Sequence, residues 1–171
     1  MTKANGEEKK VKVVVAVSGG FDPIHVGHVR LFQRARALGD ALVVILNNDH
    51  WLQKKKGVVF MSQEERKEII GALTSVDQVI LTEHTEDPQD MSVCVELEKI
   101  RPDIFANGGD RDRQNADNKN SSLNPEQLLC QKLGIRMVFN VGDGGKVQSS
   151  SWLLAKYVES ANDPGPPLRE A

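Results

Sequence analysis

Three glycines and two histidines lie close together early in the chain, within the segment Gly19 to His28. Glycine lets a backbone approach a ligand closely, and the start of a helix presents unpaired amides with a partial positive charge. His25 and His28 stand three residues apart where a strand gives way to an expected helix. Glycines, helix start and paired imidazoles together favour a bound phosphate.

The histidines also allow simpler interpretations. A lone histidine beside a helix start is usually a cap or a surface residue, and a histidine pair can belong to a zinc site. No cysteine or carboxylate near them has the spacing of a zinc ligand, so the sequence predicts no metal held by the protein. Cys94 and Cys130 are far apart, which favours two buried thiols over a disulfide.

Length and charge narrow the class of protein. A chain of 171 residues has the size of one domain, and its formal net charge of -2 argues against broad contact with nucleic acid or anionic membranes. The longest apolar runs are far short of the roughly 20 residues that span a bilayer. We therefore expect a cytoplasmic protein that binds neither nucleic acid nor membrane.

Short apolar runs alternate with amphipathic segments along the chain, as parallel strands alternate with crossover helices. Strands are predicted at 11–17, 41–46, 76–81, 103–106 and 135–139, and helices at 28–38, 62–73, 92–100, 124–133 and 149–158. Residues 54–57 and 108–124 are predicted loops. We expect an α/β, three-layer Rossmann-like fold, with a parallel five-stranded sheet and helices on both faces. The domain would occupy 11–160, with flexible termini at 1–10 and 161–171.

The His-x-Gly-His spacing of residues 25–28 resembles the signature of the cytidylyltransferase-like nucleotidyltransferases. The resemblance continues through Asn48-Asp49, a lysine-bearing loop, Glu65-Arg66 and the serine run 149–151. It is greatest for glycerol-3-phosphate cytidylyltransferases and heptose-phosphate adenylyltransferases. It implies transfer of a nucleoside monophosphate from a nucleoside triphosphate to a phosphorylated polyol or sugar, with release of pyrophosphate. CMP is favoured slightly over AMP, Mg²⁺ would accompany the triphosphate, and the resemblance alone suggests a homodimer.

The resemblance also implies roles for individual residues. His25, His28 and Lys55 would be catalytic, although the sequence cannot separate Lys55 from Lys54 and Lys56. The implied nucleotide-binding residues are Gly19, Gly20, Phe21, Asp22, Gly27, Gly109, Asp110, Ser149, Ser150 and Ser151. The implied acceptor- or phosphate-binding residues are Asp49, Arg66 and Arg111. Simpler interpretations are a solvated lysine loop, a surface ion pair at Arg66 and plain capping by one serine.

One segment departs from the family pattern. Many cytidylyltransferases carry Arg-Thr-Glu-Gly before the serine motif, whereas residues 143–148 read Asp-Gly-Gly-Lys-Val-Gln, which leaves the choice of base open. Other classes fit less well. The Gly-x-Gly-x-x-Gly fingerprint of dinucleotide oxidoreductases is missing, and the chain is too short for the tRNA-binding parts of a class I aminoacyl-tRNA synthetase. A nucleotide-sensing module without turnover is the non-enzymatic alternative.

Overall fold

A five-stranded parallel sheet forms the centre of the protein. The computed structural model describes residues 12–108, 111, 113–119, 121, 123–142 and 149–162. The strands run in the order β3-β2-β1-β4-β5, and every neighbouring pair is parallel. They are β1 (Val14–Gly19), β2 (Ala41–Leu46), β3 (Gln78–Leu81), β4 (Ile104–Ala106) and β5 (Arg136–Val138).

Helices cover both faces of this sheet. They are α1 (Val26–Arg36), α2 (Asp49–Lys56), α3 (Gln63–Gly71), α4 (Cys94–Ile100), α5 (Arg113–Asp117), α6 (Leu123–Leu133) and α7 (Ser150–Asn162). The predicted fold class is confirmed, because five parallel strands alternate with helices in three layers. None of the helices in the described part of the chain is long and apolar enough to cross a membrane.

Alternation along β1 divides the core in two. Val15 and Val17 face one side of the sheet, where Phe32 of α1 and Ile70 of α3 pack. Ala16 faces the other side and belongs to a second cluster that contains residues of α4, α5 and α6. Successive side chains of a strand point to opposite faces, so the valine-rich strand fills both layers of core at once.

Two predicted loops were wrong in part. Residues 54–56 end helix α2, because the Asn48 side chain caps its start, Trp51 and Leu52 are buried, and Gly57 ends it with a left-handed φ of 74°. Within 108–124, the structure places the short helix α5 and the first residues of α6. Here local polarity suggested a loop, but burial of Ala116 and Leu123 against the sheet stabilises helix.

The histidine segment leaves the sheet at a place where ligands commonly bind. The chain passes from β1 to β2 on one side and later returns to β4 on the other, so β1 and β4 form a topological switch point. In open α/β sheets the crevice at the carboxyl ends of such strands is the usual ligand site. Helix α1 begins at Val26, two residues earlier than predicted, which places His28 inside its first turn.

Candidate functional site

The two histidines cap helix α1 with one nitrogen each. His25 is the N-cap residue, and its Nδ1 atom accepts the Gly27 backbone N–H at 3.1 Å. The Nδ1 atom of His28 accepts the backbone N–H of His25 at 3.3 Å. A ring nitrogen that accepts from an amide carries no proton, so the hydrogen-bond network assigns the remaining proton of each neutral ring to Nε2.

Both rings are held in the neutral state. Burial, reinforced by the neighbouring His25 and Lys56, lowers the pKa of His28 to about 3. Burial and Lys56 also lower the pKa of His25. Protonation of Nδ1 would remove the acceptor of the capping N–H group. The cap therefore also favours the neutral ring. Within the described residues nothing accepts a hydrogen bond from either Nε2, so each ring can donate one to a ligand.

Phe21 supports the histidine pair from below. Its buried ring meets His28 and Phe32 edge-on, with centroids 5.0 Å apart in both contacts. A Cβ atom at Gly19 would lie 2.8 Å from the Phe21 ring, and one at Gly20 would lie 2.7 Å from Leu52. In the described chain, these glycines are therefore required to pack the loop against its own core.

Of the three lysines at the end of α2, Lys56 is the one that lies beside the histidines. Its Nζ atom donates a hydrogen bond to the Asp22 carbonyl oxygen at 2.8 Å, and its charge contributes to the low pKa of both rings. Partial burial lowers the pKa of Lys56 itself. Lys54 instead pairs with Asp87, and Lys55 is exposed. The helical conformation of this segment causes the difference, because consecutive residues on a helix point in different directions.

Asp22 connects the histidine loop to the segment between α2 and α3. Its buried carboxylate accepts the backbone N–H groups of Phe60 and Met61, both at 2.8 Å. Its carbonyl oxygen also accepts a hydrogen bond from Lys56 at the end of α2, so Asp22 binds three groups in all. These contacts place the residue as a support of the loop.

The buried Arg66 and the half-buried Asp49 form an ion pair beneath the same loop. The Arg66 side chain is completely inaccessible, and it donates to the carbonyl oxygens of Gly20, Asn47 and Met61 as well as to Asp49. The expected contact of Arg66 with a substrate phosphate does not fit this arrangement, because its guanidinium is surrounded by protein acceptors. Arg66 positions the ends of β1 and β2.

The serine run meets the histidine loop through one residue. The hydroxyl of Ser150 donates to the Pro23 carbonyl oxygen at 2.9 Å, and both groups are buried. The carbonyl oxygen of Ser149 accepts the N–H of Leu153 in the first turn of α7, whereas Ser151 is exposed. This contact holds the start of α7 against the histidine loop at Pro23, two residues before His25. Residues 143–148 lie outside the described residues.

Arg111 stands on the other side of the switch point. Its Nη1 atom lies 3.4 Å from the Ser18 hydroxyl of β1 and 3.5 Å from Oδ1 of Asn107, the residue that follows β4. Gly109 and Asp110 lie outside the described residues. Sequence reasoning missed Ser18, which lies just past the end of the predicted strand. It also missed Glu126 of α6, whose Oε2 atom lies 3.7 Å from Nη1 of Arg111, because no local motif marks this residue.

Comparisons with known proteins identify a matching family and several relatives. A model of the family described as cytidylyltransferase-like matches residues 16–142. An FAD synthase of Pyrococcus horikoshii is 36% identical over 108 residues, covering 63% of this chain and 68% of that protein. The bifunctional protein HldE of Syntrophotalea carbinolica is 39% identical over 106 residues, covering 61% of this chain. The aligned part is 20% of the HldE protein, so this chain corresponds to a small portion of it.

A solved structure extends the likeness to the fold. The lipopolysaccharide core biosynthesis protein of Thermoplasma volcanium superposes with a TM-score of 0.56 at 24% identity. The superposition covers 78% of this chain and 98% of that one. At this level of identity the likeness concerns the chain path alone, and it agrees with the predicted parallel α/β architecture.

Proposed function

Because the chain belongs to the cytidylyltransferase-like family, we propose that it transfers a nucleoside monophosphate from a nucleoside triphosphate to a small phosphorylated acceptor. The observation that carries this proposal is the pair of neutral imidazoles at the start of α1, each with an Nε2–H group that no described residue accepts. Two such donors beside Lys56 suit a group on which negative charge accumulates.

The chemistry needs positioning and charge stabilisation more than a covalent catalyst. An oxygen of the acceptor phosphate attacks the α-phosphorus, a new P–O bond forms, and the bond from the α-phosphorus to the bridging oxygen breaks. Pyrophosphate then leaves with the electron pair of that bond. His25 and His28 would donate hydrogen bonds to the oxygens that gain charge, and each such donor contributes ~3 kcal/mol.

We assign the phosphate-binding role to Lys56, in place of the predicted Lys55. Its ammonium group reaches the Asp22 carbonyl oxygen in the loop that carries the histidines. A lysine acts on phosphate as a compact point charge, so a position at the edge of the loop is sufficient. The start of α7 would bind the β- and γ-phosphates through its free amides, with Ser150 holding it against the loop.

Mg²⁺ would reach this site with the triphosphate. Among the residues that the structure describes, no three histidine, cysteine or carboxylate side chains form a group that could hold a metal ion. The carboxylates of Asp22 and Asp49 are occupied by backbone amides and by Arg66. These residues do not fit a protein-built magnesium site. Mg²⁺ commonly binds through substrate phosphates with few protein ligands, so we assign the ion to the nucleotide.

We favour ATP over CTP as the donor, in contrast to the slight preference that the sequence analysis gave to CMP. FAD contains an adenylyl group, and the FAD synthase relative aligns over most of its length. The acceptor is proposed to be a sugar phosphate, a polyol phosphate or another small phosphate monoester. A homodimer is proposed from the family resemblance, and sedimentation analysis of the full chain tests it.

Thermal unfolding with MgATP and with MgCTP tests the choice of nucleotide. A ligand at 100 times its Kd stabilises the folded state by about 2.7 kcal/mol, so the preferred triphosphate should raise Tm more. Pyrophosphate release is then measured with a panel of sugar phosphates, polyol phosphates and FMN, and with His28→Ala as the control. Binding without release for any acceptor would favour the nucleotide-sensing alternative.

A further inference from the structure

Glu126 is a buried carboxylate with an unused oxygen. The residue lies on α6 and is 1% exposed, and its Oε1 atom accepts the backbone N–H of Val93 at 3.1 Å. Its Oε2 atom has no hydrogen-bond partner among the described residues. A buried polar atom left without a partner costs roughly 1–3 kcal/mol, so its presence in a folded protein requires a reason.

The cation nearest to that oxygen is Arg111. Nη1 of Arg111 lies 3.7 Å from Oε2 of Glu126, within ion-pair range but too far for a hydrogen bond. Burial raises the pKa of Glu126, and the arginine opposes that shift. The contacts of the same Nη1 atom with Ser18 and Asn107 are also long, at 3.4 and 3.5 Å. Three oxygens from three elements therefore surround one end of the guanidinium, without a short bond to any of them.

Solvent reaches part of the Arg111 side chain. The Arg111 side chain is 30% exposed, and no described residue accepts a hydrogen bond from its Nε or Nη2 atom. Nη1 of this arginine thus lies at the carboxyl ends of β1 and β4, beside the crevice where open α/β sheets usually bind ligands. The planar fork of a guanidinium suits two oxygens of a phosphate or carboxylate.

We propose that Glu126 is a positioning residue for Arg111, and that Arg111 binds a phosphate group of the substrate at the ends of β1 and β4. The buried carboxylate holds the guanidinium by charge, without using its Nε and Nη2 atoms. The assignment of that phosphate to the acceptor rests on the proposed function, whereas the dependence of phosphate binding on both residues does not.

Binding of inorganic phosphate to the full chain, measured by titration calorimetry, tests this proposal without any turnover. Arg111→Met should weaken phosphate binding about tenfold, and Glu126→Gln should weaken it a few-fold, since a charge-assisted contact loses its orientation. In the double variant Glu126→Gln should add nothing to Arg111→Met, because residues that act through one another are not additive. Glu96→Gln is the matched control. It is a second buried carboxylate, which accepts the Glu83 N–H and does not contact Arg111 in the described structure.

A purely structural role for Glu126 predicts that Glu126→Gln lowers Tm and leaves phosphate binding unchanged. For a positioning role we expect the reverse, because Glu126→Gln retains an acceptor for Val93: Tm should stay near that of the wild type while phosphate binding falls. Equal losses of phosphate binding with and without Arg111, no loss in Arg111→Met, or a wild type that does not bind millimolar phosphate would each overturn the inference. If Glu126→Gln does not fold, Glu126→Asp, which withdraws the carboxylate by one methylene, is compared in the same way. Failure of nucleotidyl transfer alone leaves these titrations unchanged.

Discussion

The imidazole rings of His25 and His28 stack with their centroids 3.7 Å apart, and the Nδ1 atom of each accepts a backbone N–H of the same helix start. Capping and ligand binding thus use different nitrogens of the same rings. The cap fixes the tautomer, and the tautomer fixes which atom can donate to a phosphate. A substitution that keeps the capping acceptor but removes Nε2 should therefore lower the rate and leave stability unchanged.

Replacing His25 with asparagine should keep the helix cap and remove the group that binds the ligand. Asparagine is a favourable N-cap residue, and its Oδ1 atom takes the place of Nδ1, but it has no atom in the place of Nε2. We expect His25→Asn to fold with a Tm near that of the wild type and to lose about 100-fold or more in kcat for pyrophosphate release. His25→Ala, which also loses the cap, should be about 1 kcal/mol less stable. A wild-type rate in His25→Asn would remove the ring from the mechanism.

The low pKa of His28 predicts how stability depends on pH. The folded protein holds this ring neutral down to about pH 3, whereas the unfolded chain binds a proton below its ordinary value of 6.5. The unfolded state therefore binds more protons between these values, and the free energy of unfolding falls as pH falls through that window. Between pH 6.5 and 5 the loss from this group is on the order of 2 kcal/mol.

His28→Asn removes the titrating group and keeps an oxygen near the position of Nδ1. Urea unfolding at pH 7.5 and pH 5.0 should show a smaller loss of stability in this variant than in the wild type. His50, whose residue is exposed, supplies the control substitution His50→Asn, which should leave the wild-type pH dependence in place. Identical pH dependence in His28→Asn and wild type would contradict the buried neutral state of the ring.

The lysine assignment can be tested with adjacent residues. Lys56→Met removes the ammonium group that reaches the histidine loop, while Lys55→Met removes one that is exposed on the same helix. We expect the first substitution to lower kcat/KM for the nucleotide by about tenfold or more, and far more than the second does. Steady-state kinetics at two salt concentrations measure both. The reverse ranking would return the role to Lys55.

We expect substitution of Arg66 to lower the free energy of unfolding. Arg66→Lys keeps a charge but cannot supply donors to Gly20, Asn47, Met61 and Asp49 at once, so buried acceptors lose their partner. We expect a loss of about 3 kcal/mol or more in the free energy of unfolding. Lys67→Met, at the exposed neighbouring position, should change it by less than about 0.5 kcal/mol. Chemical denaturation measures the free energy of unfolding of both variants. A wild-type value for Arg66→Lys would argue for a role at the ligand.

Local signals in the sequence predicted the class of fold and its strands correctly. Alternating apolar runs and helix caps gave the strands and the capping box at Ser62 and Glu65, which the structure confirms. The same signals missed helical residues where the chain is polar. The run 54–56 looks like a loop by composition, yet the buried Trp51 and Leu52 in the turn before it extend the helix to Lys56.

The sequence by itself determined the class of fold, the family and the segment that carries the two histidines, because each depends on residues close together in the chain. Tertiary structure decided which lysine meets that segment, that Arg66 is buried beneath it, and that Glu126 stands behind Arg111. These three contacts join residues of separate segments of the chain, which come together only when the helices pack on the sheet. Periodicity can place a residue on a helix or strand, but only packing brings the side chains of two such elements together.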